Sequence, residues 1–218
     1  MKKKSAFTLI ELLVVISIIL IASSIIFIGG SGGDGAKLSS AQRIVSGIAQ
    51  GARGQAILKS AKSRLIIYSD NSANNNDEKK LRFFGIIYQE LDQDGGATGK
   101  WYAATQGTYL PEGIYFNSEL SKNWEISNSM NIYYPRAEAK SEGTGDAYYY
   151  YEFNNNGTMA TNFENSWLAL QAGTLELGDG GALEVGFDED DFLKTALIFR
   201  KVGTTTLVKN PLDITNDD

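Results

Sequence analysis

The sequence predicts an α+β fold, a long N-terminal helix packed on an antiparallel β-sheet domain, on three observations. Residues 7–28 form an almost unbroken apolar run, residues 38–57 repeat apolar side chains at spacings of three and four, and from Ser63 onward the repeat shifts to two among β-branched and aromatic residues. Composition agrees with one globular unit plus an appendage. Of 218 residues, 43% are hydrophobic and 21% charged, and 23 Gly against 3 Pro with 11 Tyr favour turn-rich strands. Acidic residues exceed basic ones by 26 − 20 = 6, so nucleic acid is not the expected partner. With no Cys and no His, the chain has no disulfide, no thiolate or imidazole zinc site, no Cys nucleophile and no Ser-His-Asp arrangement.

The first element is the run 7–28, broken only by Thr8, Glu11, Ser17, Ser23 and Ser24. As a helix it is about 33 Å long, enough to cross a bilayer core of roughly 30 Å. Apolarity on every face does not suit a buried core helix in a chain of this size. Lys2, Lys3 and Lys4 precede the run and the next basic residue is Lys37, so the positive-inside bias keeps the N-terminus cytoplasmic and sends the rest of the chain across. Small residues from Gly29 to Gly33 imitate the cleavage region of a secretory signal. Glu11 tells against that reading, because an ionisable group so early in the apolar run costs a few kcal/mol in lipid unless something pairs with it.

Lys2-Lys3-Lys4-Ser5-Ala6, followed by Phe7-Thr8-Leu9-Ile10-Glu11 and the apolar residues 12–16, resembles the class III leader of type IV pilins and type II secretion pseudopilins. The resemblance implies that residues 1–6 are a leader, that a membrane-embedded prepilin peptidase cuts between Ala6 and Phe7 on the cytoplasmic side, and that the new amino group of Phe7 is methylated. The apolar helix 7–28 then stays attached as a transmembrane and assembly element. The family usually has Gly before the cut, where this chain has Ala6. The resemblance also assigns Glu11 to assembly: in a filament its carboxylate meets the amino group of Phe7 on an adjacent subunit, so that two charges costly alone neutralise each other.

Residues 29–36 contain five Gly, each lowering helix propensity by about 1 kcal/mol relative to Ala, and are predicted to form a hinge. A second, amphipathic helix is expected over 37–62, capped by Ser39 or Ser40, with Leu38, Ala41, Ile44, Val45, Ile48, Ala49, Ala52, Ala56 and Ile57 on its apolar face. Gln42, Arg43, Gln50, Arg53, Lys59 and Lys62 make the opposite face, expected to be solvated.

The β domain is read over 63–218, with strands at 64–68, 81–91, 100–104, 113–116, 130–134, 148–153, 166–170, 183–185, 195–201 and 204–209. Hairpin loops are expected at 71–77 and 93–99, a tight turn at Asn154-Asn155-Asn156-Gly157, and a terminal hairpin turning at Val202-Gly203. Tyr148 to Tyr151 place rings on both faces of one strand, two expected in the core and two exposed.

Arg53-Gly54-Gln55-Ala56, the strand 64–68, Trp101, Leu110-Pro111-Glu112-Gly113-Ile114, Phe153 with Gly157, and the hairpin around Gly203 resemble scattered landmarks of the GspH/FimT-type minor pseudopilins. That resemblance implies a pilin-like fold and a minor subunit at or near the tip of a type II secretion pseudopilus or a type IV pilus. Its expected partners are other pilins, the bacterial inner membrane and secreted cargo, with the β domain outside the cytoplasm, no cofactor and no enzymatic chemistry. The alternative function is a tip binding subunit, an adhesin or a DNA-uptake pilin; the acidic end from Asp213 to Asp218 weighs against DNA. Carboxylates at Asp92 and Asp94, 188–191, and Asp213, Asp217 and Asp218 are of the oxygen type that suits calcium, but Asp92-Gln93-Asp94-Gly95-Gly96 lacks the remaining ligands of an EF-hand loop, and no metal site is expected. Without His, a hydrolase would need a carboxylate pair in a cleft, which the sequence does not place. Asn156-Gly157-Thr158 matches a glycosylation pattern and is read as a turn.

Overall fold

The computed structural model describes residues 33–69, 77–122, 129–178, 183–187 and 193–214. Among them one helix, α1 (Gly33–Lys59), precedes the strands β1 (Ser63–Tyr68), β2 (Phe83–Leu91), β3 (Ala97–Ala103), β4 (Thr108–Tyr109), β5 (Ile114–Asn117), β6 (Ser129–Ile132), β7 (Lys140–Ser141), β8 (Asp146–Phe153), β9 (Ser166–Leu177), β10 (Leu183–Phe187), β11 (Lys194–Phe199) and β12 (Thr205–Val208). The fold is α+β, one helix on antiparallel sheets. The predicted span 7–28 and the first part of the hinge lie outside the described residues; within them, no helix is long and apolar enough to cross a membrane.

The helix starts at Gly33, inside the Gly-rich segment, and ends at Lys59, so the expected bounds of 37 and 62 are both corrected. Two glycines of that segment, Gly33 and Gly35, are carried into the helix by the charge order at its start. Asp34 sits in the first turn, where the helix dipole favours a carboxylate, and pairs with Lys37 at 3.0 Å. Ser39 does not cap; its Oγ donates to Gly35 O at 3.0 Å inside the helix. The buried stripe is narrower than predicted: Leu38, Ala41, Val45, Ala49, Ala52 and Ala56, while Ile44 and Ile57 are 36% and 50% exposed. These mostly small side chains let the helix axis lie close to the sheets, and a larger residue at Ala49 or Ala52 would have to displace packed neighbours.

The strands form two sheets. One runs β6-β8-β1-β2-β3-β7, with β4 pairing with the start of β2; the other runs β10-β9-β11-β12, with β5 pairing with the middle of β9. Strands β1 and β11 are buried at every position, so both of their faces are covered. The inner face of β1, Leu65 and Ile67, joins the helix stripe, Phe84, Phe116, Leu168, Leu170, Leu197 and Phe199 in the main core. Its outer face, Ile66 and Tyr68, belongs to a second core with Phe83, Ile87, Trp101, Met130, Ile132, Tyr134 and Tyr148.

That second core exists because the first sheet curls. In a flat sheet β7 and β6, five strand spacings apart, would be separated by about 24 Å. Yet Ser141 pairs with Lys100 on β3, and two residues later Gly143 N donates to Asn131 O on β6 at 2.9 Å. Two residues span at most about 7 Å, so the sheet edges must close toward each other round the aromatic cluster. Tyr134 is drawn inward, its hydroxyl donating to Thr105 O at 2.8 Å. Its ring lies over Gly85, where a Cβ would meet the Tyr134 hydroxyl oxygen at 1.9 Å. Among Tyr148 to Tyr151, Tyr148 and Tyr151 are in the core as expected, but Tyr149 and Tyr150 are half-buried and not exposed, because the curl covers both faces of β8.

Candidate functional site

Ala6, Phe7 and Glu11, the residues marked for processing and assembly, lie outside the described residues. The structure does describe how the domain holds α1, which follows them in the chain. Gln42, Ser46, Gln50 and Arg53 stand at spacings of four, four and three on one side of α1, and all four bond the domain. Gln42 Nε2 donates to Ala196 O at 2.8 Å and Val208 O at 2.9 Å, joining the helix to β11 and β12 at once. Ser46 Oγ and Thr205 Oγ1 are 2.8 Å apart. Gln50 Nε2 reaches Gly203 O at a long 3.4 Å, and Arg53 Nε donates to Gly157 O at 3.1 Å.

The expectation that Gln42, Gln50 and Arg53 face solvent is therefore corrected. Long polar side chains on a helix read as solvated by type, and the signal that could have found this ladder was their spacing, which is as regular as that of the buried stripe. Each such bond contributes about 0.5–1.5 kcal/mol net, and together they fix the rotation of the helix against the sheet more than its stability.

Three landmarks far apart in the sequence meet at the end of this ladder. Gly157 closes the turn expected at 154–157, its N–H donating to Asn154 O at 2.8 Å, and Gly203 closes the terminal hairpin, donating to Arg200 O at 2.7 Å. Both have positive φ, 80° and 81°. They abut: a Cβ on Gly203 would stand 1.9 Å from Gly157 O, the atom that Arg53 binds. Gly203→Ala is thus expected to strain the backbone and push away the Arg53 acceptor, costing at least about 2 kcal/mol. Gly99 has φ 79° with open space where a Cβ would go, so Gly99→Ala carries the dihedral strain alone. Denaturant unfolding of both variants checks this; equal losses would mean the contact with Gly157 contributes nothing.

The charged residues of the curled sheet are also accounted for. Arg64, on the outer face of β1, lies between the rings of Trp101 and Tyr150, 4.1 and 3.9 Å from their centroids. Its Nε donates to Glu152 Oε2 at 2.8 Å and a terminal nitrogen to Glu142 Oε2 at 3.2 Å, while Lys62 Nζ takes the other Glu152 oxygen at 2.7 Å. Burial pushes the Tyr150 phenol up. Burial also pushes Tyr151 up, and the one proton of its hydroxyl is shared between Trp167 O at 3.1 Å and Lys122 O at 3.2 Å. These groups fasten loops and strands.

At the hairpin of Asp92 and Asp94, Asp92 Oδ1 accepts from Asp94 N at 3.0 Å and Gly96 N at 2.6 Å, so the carboxylate serves its own turn. Among the described residues no three carboxylates come together as a metal site. Residues 188–191, Asp217 and Asp218 lie outside them. Asn156 Oδ1 accepts from Thr158 N at 3.0 Å, consistent with a turn.

Residues 1–27 match the family model of the prokaryotic N-terminal methylation motif. No curated protein matches the chain. Among solved structures, that of the type IV minor pilin FimU of Pseudomonas aeruginosa aligns over 83% of this chain and 94% of its own, at 10% identity and a TM-score of 0.43. The chain thus carries a prokaryotic N-terminal methylation motif ahead of one helix packed on antiparallel sheets.

Proposed function

We propose that the chain is a minor prepilin, inserted in the bacterial inner membrane through residues 7–28 with its N-terminus cytoplasmic, cut between Ala6 and Phe7 by a prepilin peptidase, methylated on Phe7, and assembled with other pilins at or near the tip of a type II secretion pseudopilus or a type IV pilus. The N-terminal methylation motif at residues 1–27 carries this reading. The polar ladder supports it. A filament subunit is pulled or pushed through its N-terminal helix, and a helix joined to the far hairpin by Gln42, Ser46, Gln50 and Arg53 passes that load to the β domain without sliding. The domain acts as a structural piece, and the chemistry is that of the peptidase.

Mass spectrometry of the N-terminal peptide from membranes that contain a prepilin peptidase tests the proposal. The expected peptide begins at Phe7 with one added methyl group. An intact Met1, or cleavage within 29–33, would remove the filament-subunit reading.

A further inference from the structure

The hairpin of β9 and β10 leaves the body of the domain at the helix N-terminus. Direction follows from pairing. On β11, Lys194 lines a cleft with Gly35 and Leu38 at the start of α1, whereas the hairpin turn beyond Phe199 reaches Gln50 and Arg53 near its end. Strand β9 is antiparallel to β11, with Ser166 opposite Phe199 and Gln171 opposite Lys194, so β9 runs toward the helix start. There Gly173 and Phe187 share a cleft with Asp34. From Gly173 the ribbon continues four more residues to Leu177, about 13 Å further.

The ribbon has two unlike faces. Leu175 pairs with Val185, Leu177 with Leu183, and Gly173 with Phe187, so one face is entirely apolar apart from the glycine. None of these leucines, nor Val185 or Phe187, belongs to either core, and Leu177 is 75% exposed. Glu176 stands opposite Glu184 on the other face. Like charges directly opposed must stay hydrated, so that face requires water and the apolar face is the one that needs cover. Lys80 Nζ donates to Leu183 O and ties the ribbon to the loop before β2.

What covers it follows from the length of chain ahead of the helix. The apolar run ends at Ile28 and α1 begins at Gly33. The five residue steps from Ile28 to Gly33 cover about 7.5 Å as helix and about 17 Å fully extended, comparable to the ribbon's reach past Asp34. We propose that the β9–β10 ribbon rests its leucine face in the outer headgroup layer of the bilayer that residues 7–28 span, giving the domain a second membrane contact beside the helix. Glu176 and Glu184 keep the ribbon shallow by remaining in water. The inference rests on the reading of 7–28 as a membrane span.

Because the chain has no cysteine, a single one can be labelled without background. Full-length Leu177→Cys, Glu176→Cys and Ile16→Cys carry a nitroxide in phosphatidylcholine nanodiscs with one chain each, and relaxation by oxygen is compared with relaxation by a water-soluble nickel chelate. The expected result is a lipid-like ratio at residue 16, a several-fold higher oxygen preference at residue 177 than at residue 176, and an aqueous signal at 176. A label at 177 as open to nickel as that at 176, with 16 in lipid, overturns the ribbon contact and leaves the membrane reading standing. An aqueous label at 16 overturns the membrane reading itself. If 177 is shielded from both reagents and shows spin–spin broadening at two chains per disc, a second copy is the cover and the lipid contact is wrong.

Discussion

Arg64→Met is expected to lower the stability of the β domain by about 3–4 kcal/mol, a fall of roughly 10 °C in melting temperature. Methionine keeps the length of the aliphatic stem, so the loss is electrostatic and aromatic more than volumetric. Arg64 is only 11% exposed and Glu152 only 8%, and removing one partner of a buried pair leaves the other charge uncompensated, typically at about 3–5 kcal/mol. Two features set the value toward the lower end. Glu152 retains Lys62 at 2.7 Å, and Glu142, being 40% exposed, recovers water at small cost. Against that stands the loss of two cation–π contacts, each worth about 0.5–2 kcal/mol depending on desolvation. Arg64→Lys keeps the charge but neither the planar stacking nor the fork to two glutamates, and should lie between wild type and Met. Thermal melts of the full chain in detergent, followed by near-ultraviolet circular dichroism, measure this. The double variant Arg64→Met, Glu152→Gln should lose less than the sum of the singles. Additive losses, or a loss under about 1 kcal/mol for Arg64→Met, would show the pair to be solvated.

Much of this architecture is visible in the sequence because it rests on local periodicity. Strands β1, β8 and β11 appear within about two residues of their expected bounds, since uninterrupted β-branched and aromatic residues have no other good placement. Strand β9 extends past its expected end at residue 170 to Leu177, as one side of the ribbon, because Gly173 and Glu176 break the apolar pattern without ending the pairing. Strands β4 and β7 are two residues each and too short to have a period. The curl of the first sheet depends on Ser141 and Gly143 bridging strands that lie about thirty residues apart in the chain, a long-range fact with no local mark. The helix ladder departs from expectation for a different reason. Residue type suggested solvent where spacing suggested contact, and Gln42, Gln50 and Arg53 followed spacing.

The landmarks of the domain acquire a shared physical cause. Arg53, Gly157 and Gly203 looked scattered along the chain, and the structure brings them to one point where two tight turns touch under one guanidinium. Trp101, another of them, is one slice of the stack on Arg64. The expectations for Ala6, Phe7 and Glu11 rest instead on linear order around an apolar run and not on tertiary neighbours.

Under the proposed assembly, Glu11→Leu is expected to leave membrane insertion and leader cleavage intact and to abolish crosslinking to other pilins together with the secretion or pilus phenotype. Insertion is driven by the apolar residues of 7–28, and removing one carboxylate from that run makes it easier by up to a few kcal/mol. Assembly has the opposite sign. A carboxylate that offsets the buried amino group of Phe7 on a neighbour is one half of a desolvated pair, and its loss leaves that amine uncompensated at a cost of about 3–5 kcal/mol. At about 1.4 kcal/mol per factor of ten, this excludes the variant from a filament by two to three and a half orders of magnitude relative to wild type. Membrane fractionation, mass spectrometry of the N-terminal peptide and crosslinking in the same cells separate the three steps. Glu11→Asp should assemble partially, because the charge survives at a distance about one methylene too short. If Glu11→Leu assembles normally the residue is incidental to the filament, and if it fails to insert then the helix has been misread. Crosslinking retained toward one side only would instead mark the chain as the subunit that caps the tip, where no neighbour above presents an amine to Glu11.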